Sequence, residues 1–106
     1  MLSDTDIQKM ADIIAERFQP EKIILFGSRA RGEATRDSDV DMLVIAETGV
    51  PRYKRAIPIY RLLGDFRTGI DILVYTPEEI KEWSSVPEAL VTRAYREGEI
   101  LYEKSA

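Results

Sequence analysis

Residues 22–46 read KIILFGSRARGEATRDSDVDMLVIA, in which two apolar runs enclose a polar, arginine-rich loop. The first run, Lys22 to Phe26, is short and β-branched at its centre, so it predicts a strand. Gly27-Ser28 breaks that strand, and a loop with room for a short helix follows from Arg29 to Ser38. The second run, Asp39 to Ala46, predicts another strand. The chain is therefore expected to fold around a strand, a polar loop and a second strand.

Helical and strand patterns flank this unit on both sides. Ser3 and Asp6 resemble a capping box, and the apolar residues behind them recur at helical spacing until Gln19-Pro20. Downstream, residues 56–63 predict a helix that begins or kinks at Pro58. The remaining predictions are a strand over 70–75, a helix starting at Thr76, a helix over 87–96 ended by Gly98, and a short strand over 100–102.

The order α-β-loop-β-α-β-α-α-(β) predicts the α/β (α+β) class, a small mixed β-sheet flanked by helices. The length of 106 residues suits a single domain over residues 1–106. The N-terminal segment lacks the pattern of a signal peptide, and no apolar run approaches the roughly 18 residues of a membrane span. The expected compartment is the cytoplasm.

Composition restricts the chemistry that the chain can perform. There is no cysteine, which excludes disulfides and thiolate metal sites, and no histidine, which removes the commonest general base. Acid–base or metal chemistry must therefore depend on carboxylates, which prefer hard cations such as magnesium, manganese or calcium. The net charge of −4 disfavours a general nucleic-acid-binding surface, since such surfaces are usually strongly basic.

Three aspartates are candidates for a metal site. Asp39 and Asp41 lie two apart on a predicted strand, so alternation places both carboxylates on one face, about 6.6 Å apart along the chain. Asp71 interrupts the apolar run of the third predicted strand, where an unpaired charge is costly. Side-by-side carboxylates repel unless cations lie between them, and two metal ions roughly 3.5–4 Å apart would fit. A solvated acidic turn would explain Asp37 and Asp39, but not charges within apolar runs.

The loop after the first strand is suited to bind phosphate. Gly27 lets a backbone approach a phosphate closely, and the Ser28 hydroxyl can donate a hydrogen bond to it. Arg29 and Arg31 could neutralise a triphosphate, although they and Arg36 could equally be surface charges.

A second basic cluster surrounds the predicted helix over 56–63. Its residues are Arg52, Lys54, Arg55 and Arg61. A solvated helix face would explain them, and so would contact with the nucleotide or with an acidic partner.

The combined motif of the loop and second strand resembles the signature of the DNA polymerase β-like nucleotidyltransferase superfamily. This motif consists of Gly27-Ser28, ten further residues, and Asp39-Val40-Asp41. The short length and the Gly-Ser-Arg-Ala-Arg-Gly run resemble the superfamily's minimal nucleotidyltransferases, the MNT group. The resemblance implies that Gly27 and Ser28 hold the triphosphate, beside which Arg29 and Arg31 are the candidate phosphate-binding cations. It also implies that Asp39, Asp41 and Asp71 are catalytic and hold two Mg²⁺ ions, with ATP as the substrate.

The resemblance also implies a function and a partner. MNT-group proteins are often paired with a HEPN-domain toxin, and the antitoxin transfers AMP from ATP to a tyrosine hydroxyl of that toxin. Larger members carry a helical domain for acceptor recognition, and this chain shows no such domain, so a partner is expected to supply the acceptor. A homo- or hetero-oligomer is therefore expected. Two alternatives stay open: an antitoxin that neutralises its partner by binding without catalysis, and a nucleotidyltransferase acting on a small molecule.

Overall fold

The computed structural model describes residues 2–35, 38–66 and 68–105. The elements, in chain order, are α1 (Asp4–Phe18), β1 (Lys22–Phe26), β2 (Val40–Ile45), α2 (Arg52–Arg55), α3 (Ile57–Leu62), β3 (Ile70–Tyr75), α4 (Pro77–Trp83), α5 (Leu90–Glu97) and β4 (Glu99–Glu103). Arg36 and Asp37, which the sequence analysis considered as a surface charge and an acidic turn, lie outside the described residues.

The four strands form one mixed sheet in the order β3-β2-β1-β4. β1 is antiparallel to both β2 and β4, whereas β2 and β3 are parallel. A parallel pair needs a crossover, which α2 and α3 supply here. Because parallel strands begin at the same edge of the sheet, residues at the start of β2 lie beside residues at the start of β3. The predicted mixed α/β class is confirmed.

Both faces of the sheet are covered by helices. Alternate strand residues such as Val40, Met42 and Val44 pack against α1 and α3, as the alternation predicted. The residues between them, including Leu43 and Ile45, pack against α5. The central strand β2 is therefore buried on both sides, which is typical of a strand in a parallel pair between helical layers. Asp41 is the polar exception within it.

Local sequence signals explain where the helices begin. Ser3 and Asp6 form the predicted capping box of α1, in which the Ser3 hydroxyl accepts from the Asp6 amide at 3.2 Å. Thr76 and Glu79 form a second capping box at α4, with Pro77 at the first helical position. These reciprocal bonds satisfy amides that would otherwise lack a partner in the first turn.

Several predicted boundaries differ from the structure, and the largest differences concern helices and the start of β2. The helix predicted over 87–96 begins at Leu90, because residues 86–89 form a turn in which the Ala89 amide donates to the Val86 carbonyl at 3.2 Å. The helix predicted over 56–63 is preceded by the short α2, and Pro58 lies in the first turn of α3. The loop after β1 forms turns over 28–32, not a short helix, in the part that the structure describes. β2 begins at Val40, so Asp39 precedes the strand.

Gly98 ends α5 as predicted, but its backbone φ is −75°, not left-handed. Glycine is needed there for space, because a β-carbon would lie 2.6 Å from the Ala94 carbonyl oxygen and would overlap the Ile24 side chain. Because Gly98 lies close to β1, the chain that follows it forms β4 next to that strand.

Side chains of the crossover cover the outer edge of β3. The Ile72 amide donates to the Tyr60 hydroxyl at 2.8 Å, and the Arg55 guanidinium donates to the Val74 carbonyl at 3.2 Å. These bonds satisfy backbone groups that would otherwise be open to another strand. Within the described ranges, every helix is too short or too polar to cross a lipid bilayer.

Candidate nucleotide and metal site

Two carboxylates lie side by side at the start of the parallel strand pair. Asp41 of β2 is in register with Asp71 of β3, and both side chains lie on the sheet face that packs against α5. Burial raises the pKa of Asp41 to about 6, and the charge of Asp71 and a hydrogen bond between the two carboxyl groups act in the same direction. Asp41 therefore releases its proton less readily than an ordinary aspartate, and a cation between the two carboxylates would relieve their repulsion.

Asp39 is close to this pair but is oriented differently. It precedes β2, and its carboxylate lies against the backbone of Gly69, where a β-carbon would be 2.7 Å from the Asp39 carboxyl carbon. Its charge still contributes to the raised pKa of Asp41. Across residues 2–35, 38–66 and 68–105, no three acidic side chains converge around one point. The structure therefore brings Asp41 and Asp71 together, with Asp39 as a neighbour.

Gly27 is required by the geometry of the site. Its φ is +77°, a left-handed conformation that favours glycine. A β-carbon on Gly27 would also overlap the Asp41 carboxylate, whose carbon would be 3.2 Å away. The first glycine of the Gly-Ser motif therefore keeps open the space immediately beside Asp41.

The loop after Gly27 winds into turns. The Arg31 amide donates to the Gly27 carbonyl at 3.2 Å, and the Glu33 amide donates to the Ser28 carbonyl at 2.9 Å. The first amides of such turns have no carbonyl partner within the turn. The same is true at the N-terminus of a helix, where phosphates commonly bind. This geometry is consistent with phosphate binding at Gly27 and Ser28, which stays a prediction.

The two arginines of the motif occupy different positions. The Arg29 guanidinium donates to the Ser38 carbonyl from Nε at 3.2 Å and from Nη2 at 2.8 Å. These bonds connect the two ends of the loop. Arg31 is exposed, pairs with Glu33 at 2.7 Å, and its charge lowers the pKa of Asp41. Arg31 lines the cleft described below, which places it better than Arg29 to meet a bound anion.

A cleft of about 500 Å³ opens over the carboxylates. One wall contains Gly27, Arg31, Asp41 and Asp71, and the opposite wall is formed by α5. Sequence reasoning missed the residues of this second wall and of the rim, namely Tyr60, Leu90, Arg93 and Glu97. The sequence gives little indication of this wall, because the spacing of Leu90, Arg93 and Glu97 is that of an ordinary amphipathic helix. In the structure Arg93 and Glu97 pair at 3.6 Å.

Sequence comparison agrees with this geometry. Residues 7–105 match the model of the nucleotidyltransferase domain family. The chain belongs to the nucleotidyltransferase domain family. A Methanocaldococcus jannaschii protein named as a protein adenylyltransferase is 33% identical over 58 residues, which cover 54% of this chain. The matched region spans 58% of that relative, so less than two thirds of its length is represented here.

Solved structures share the fold. A nucleotidyltransferase from Sulfolobus solfataricus superposes with a TM-score of 0.65 at 22% identity, covering 92% of this chain and 78% of that one. A toxin–antitoxin complex with AMP-PNP superposes with a TM-score of 0.58 at 20% identity, covering 92% of this chain and 74% of that one. A mutant of the toxin–antitoxin MntA-HpeT superposes with a TM-score of 0.58 at 17% identity, covering 98% of this chain and 76% of that one. The nucleotidyltransferase fold expected from the motif is therefore confirmed.

Proposed function

We propose that this protein transfers AMP from ATP to a hydroxyl group, most simply a tyrosine, of a partner protein in the cytoplasm, where ATP is made. The observation that carries the proposal is the Asp41–Asp71 pair, placed beside Gly27 in a cleft large enough for a nucleotide. The relative named as a protein adenylyltransferase and the two toxin–antitoxin structures support a protein acceptor.

The donor set fits a hard divalent cation. Carboxylate oxygens are the ligands that magnesium prefers, and the raised pKa of Asp41 indicates that the pair needs a positive charge when both groups are ionised. In this proposal Asp39, Asp41 and Asp71 hold two Mg²⁺ ions, which supply charge neutralisation for the triphosphate. Asp39 would have to turn away from Gly69 to join the other two.

The residues in and beside the cleft have separate roles in the proposed transfer. Gly27 and Ser28 bind the triphosphate, and Arg31 adds positive charge at the same wall. The acceptor oxygen attacks the α-phosphorus, the bond from the α-phosphorus to the oxygen bridging to the β-phosphate breaks, and pyrophosphate leaves. The hydroxyl proton passes to Asp71, which is exposed in the cleft and is the best-placed base in a chain without histidine.

The acceptor is proposed to be a HEPN-domain toxin, which the modification would inactivate. The test is co-expression with the product of the adjacent gene, followed by intact mass measurement of that product. A mass gain of one or more AMP units is expected, and it should disappear with Asp39→Ala/Asp41→Ala.

Other outcomes select the two alternatives. A stable complex in which neither protein gains mass would identify a non-catalytic antitoxin. A chain that forms no complex but consumes ATP with a hydroxylated small molecule, such as an aminoglycoside, would identify a small-molecule nucleotidyltransferase. Asp41→Ala discriminates further, since a purely binding antitoxin should still neutralise its partner with this substitution.

A further inference from the structure

Three large side chains of the crossover between β2 and β3 form an exposed apolar face. Tyr53 is 78% exposed, Ile57 is 45% exposed and Tyr60 is 41% exposed. Their spacing of four and three residues places them on one side of a helix. Ala56, between α2 and α3, also has right-handed helical backbone angles, so the spacing holds across the junction. We call these three residues the Tyr53 face.

Basic residues border this face. Arg52, Lys54 and Arg61 are exposed at positions adjacent to it along the helices. Arg55 differs, because its side chain is only 9% exposed and pairs with Glu79 at 2.6 Å. The cluster noted in the sequence thus divides into one structural arginine and three surface cations. Because the whole chain has a net charge of −4, this border is opposite in sign to the rest of the molecule.

The Tyr53 face is continuous with the cleft. Tyr60 belongs to both, since its ring lines the cleft and its hydroxyl accepts from the Ile72 amide at 2.8 Å. Ile72 is the neighbour of Asp71 in β3. A chain lying on the Tyr53 face would therefore pass directly to the carboxylate that is proposed to accept the hydroxyl proton.

We propose that the Tyr53 face and its basic border dock an acidic, partly apolar segment of the acceptor protein and deliver its hydroxyl to Asp71. This inference rests on the proposed transfer reaction and adds the recognition surface and the charge of the acceptor. Charge complementarity selects an acidic partner, and exposed apolar patches of this kind mark interaction sites. A nucleic acid is disfavoured by Ile57 at the centre of the face and by the small number of bordering cations, three among the residues that the structure describes.

Random copolymers provide defined acceptors of opposite charge. A glutamate–tyrosine copolymer and a lysine–tyrosine copolymer both offer tyrosine hydroxyls, and transfer of radiolabelled AMP from ATP is measured on each with Mg²⁺. Binding is measured separately by fluorescence anisotropy of the labelled copolymers. We expect the acidic copolymer to have a KM lower by about tenfold or more, with a preference that weakens at high salt.

Charge reversal tests the surface itself. Arg52→Glu/Lys54→Glu/Arg61→Glu should raise the KM for the acidic copolymer by about tenfold or more. The matched control, Lys9→Glu/Arg17→Glu/Lys81→Glu, changes the net charge equally at exposed positions on α1 and α4, and should change that KM by less than about twofold. Tyr53→Ser/Ile57→Ser tests the apolar part, with thermal unfolding to verify that each variant is folded.

The outcomes separate this inference from the proposed reaction. Equal labelling of both copolymers, or an unchanged KM in the Arg52/Lys54/Arg61 variant, overturns the docking surface but leaves the transferase. Charge-dependent binding of the acidic copolymer without labelling supports the surface and counts against the transferase. Neither binding nor labelling overturns both. A dimer in sedimentation that the reversal abolishes, or displacement of the copolymer by oligouridine, would assign the face to a second copy or to RNA and overturn the proposal.

Discussion

Asp41→Asn should stabilise the protein when no metal is present, although it should abolish activity. The side chain is partly buried beside Asp71, and burial together with that neighbouring charge raises its pKa from 3.8 to about 6. The folded state therefore binds the proton more tightly than the unfolded chain does. This contribution to stability is fully present below the unfolded pKa and is lost as the pH rises through the folded pKa. Metal-free protein should thus become less stable between about pH 4 and pH 7 through this group.

The size of the effect follows from the same shift. A change from 3.8 to about 6 corresponds at full strength to about 3 kcal/mol. Solvent screening at a partly exposed carboxylate lowers this to about 1–1.5 kcal/mol. The neutral amide of Asn removes the repulsion at any pH. For a domain of this length the gain corresponds to roughly 4–8 °C in Tm at pH 7.5.

The assay is thermal unfolding in the presence of a chelator at pH 5 and pH 7.5. The advantage of Asp41→Asn over the parent chain should be larger at pH 7.5, which lies above the raised pKa of Asp41 in the parent. Asp65→Asn, at an exposed position, is the control for an equal change in net charge. Added Mg²⁺ should raise the Tm of the parent and have less effect on Asp41→Asn. A variant that is no more stable than the parent at pH 7.5 would refute the conclusion that the pair is electrostatically strained.

Two further pairs of substitutions test the space beside Asp41 and the ion pair between Arg55 and Glu79. Gly27→Ala should cost about 1–2 kcal/mol from its positive φ and should abolish nucleotide turnover by crowding Asp41, measured by denaturant unfolding and ATP consumption. Gly32→Ala has a φ of +74° but open space around its β-carbon, so it should lose similar stability and keep turnover; equal loss of turnover in both would contradict the steric argument. Arg55→Met should cost about 2 kcal/mol because it removes the guanidinium that pairs with Glu79 and donates to the Val74 carbonyl, measured by urea unfolding. Arg61→Met, at an exposed position, should change stability by less than about 0.5 kcal/mol, and similar losses in both variants would show that the partly buried pair adds nothing.

Local patterns in the sequence were sufficient to predict most of the fold. The strands Lys22–Phe26 and Ile70–Tyr75 have the predicted bounds, because each is a short apolar run closed by a turn or a capping residue. The α1 capping box was visible as a residue spacing, and Thr76 was visible as the start of α4. The pairing of β2 with β3 could not be predicted, since the order of strands in a sheet depends on contacts between residues distant in sequence.

The site was predicted less completely, and the reasons are physical. Asp41 and Asp71 could be predicted because a charge within an apolar strand is costly without a function. Asp39 fitted the same alternation, but β2 begins one residue later, so its side chain no longer follows the strand pattern. The burial of Arg55 and the α5 wall of the cleft were not predictable, because both depend on how a helix packs against the sheet. Glu79, whose pKa is lowered by its hydrogen bond to Arg55, became visible as the partner only in three dimensions.

The same crossover that makes β2 and β3 parallel also positions the candidate site residues. The parallel arrangement places Asp41 and Asp71 in register at one edge of the sheet, which an antiparallel pairing of the same strands would not do. The residues needed to make the crossover then cover the β3 edge through Tyr60 and Arg55. Their outer side is left facing solvent next to the carboxylates. If the proposed transfer takes place, this outer side is the part of the crossover that remains available to dock the acceptor, because its inward-facing residues are packed in the core.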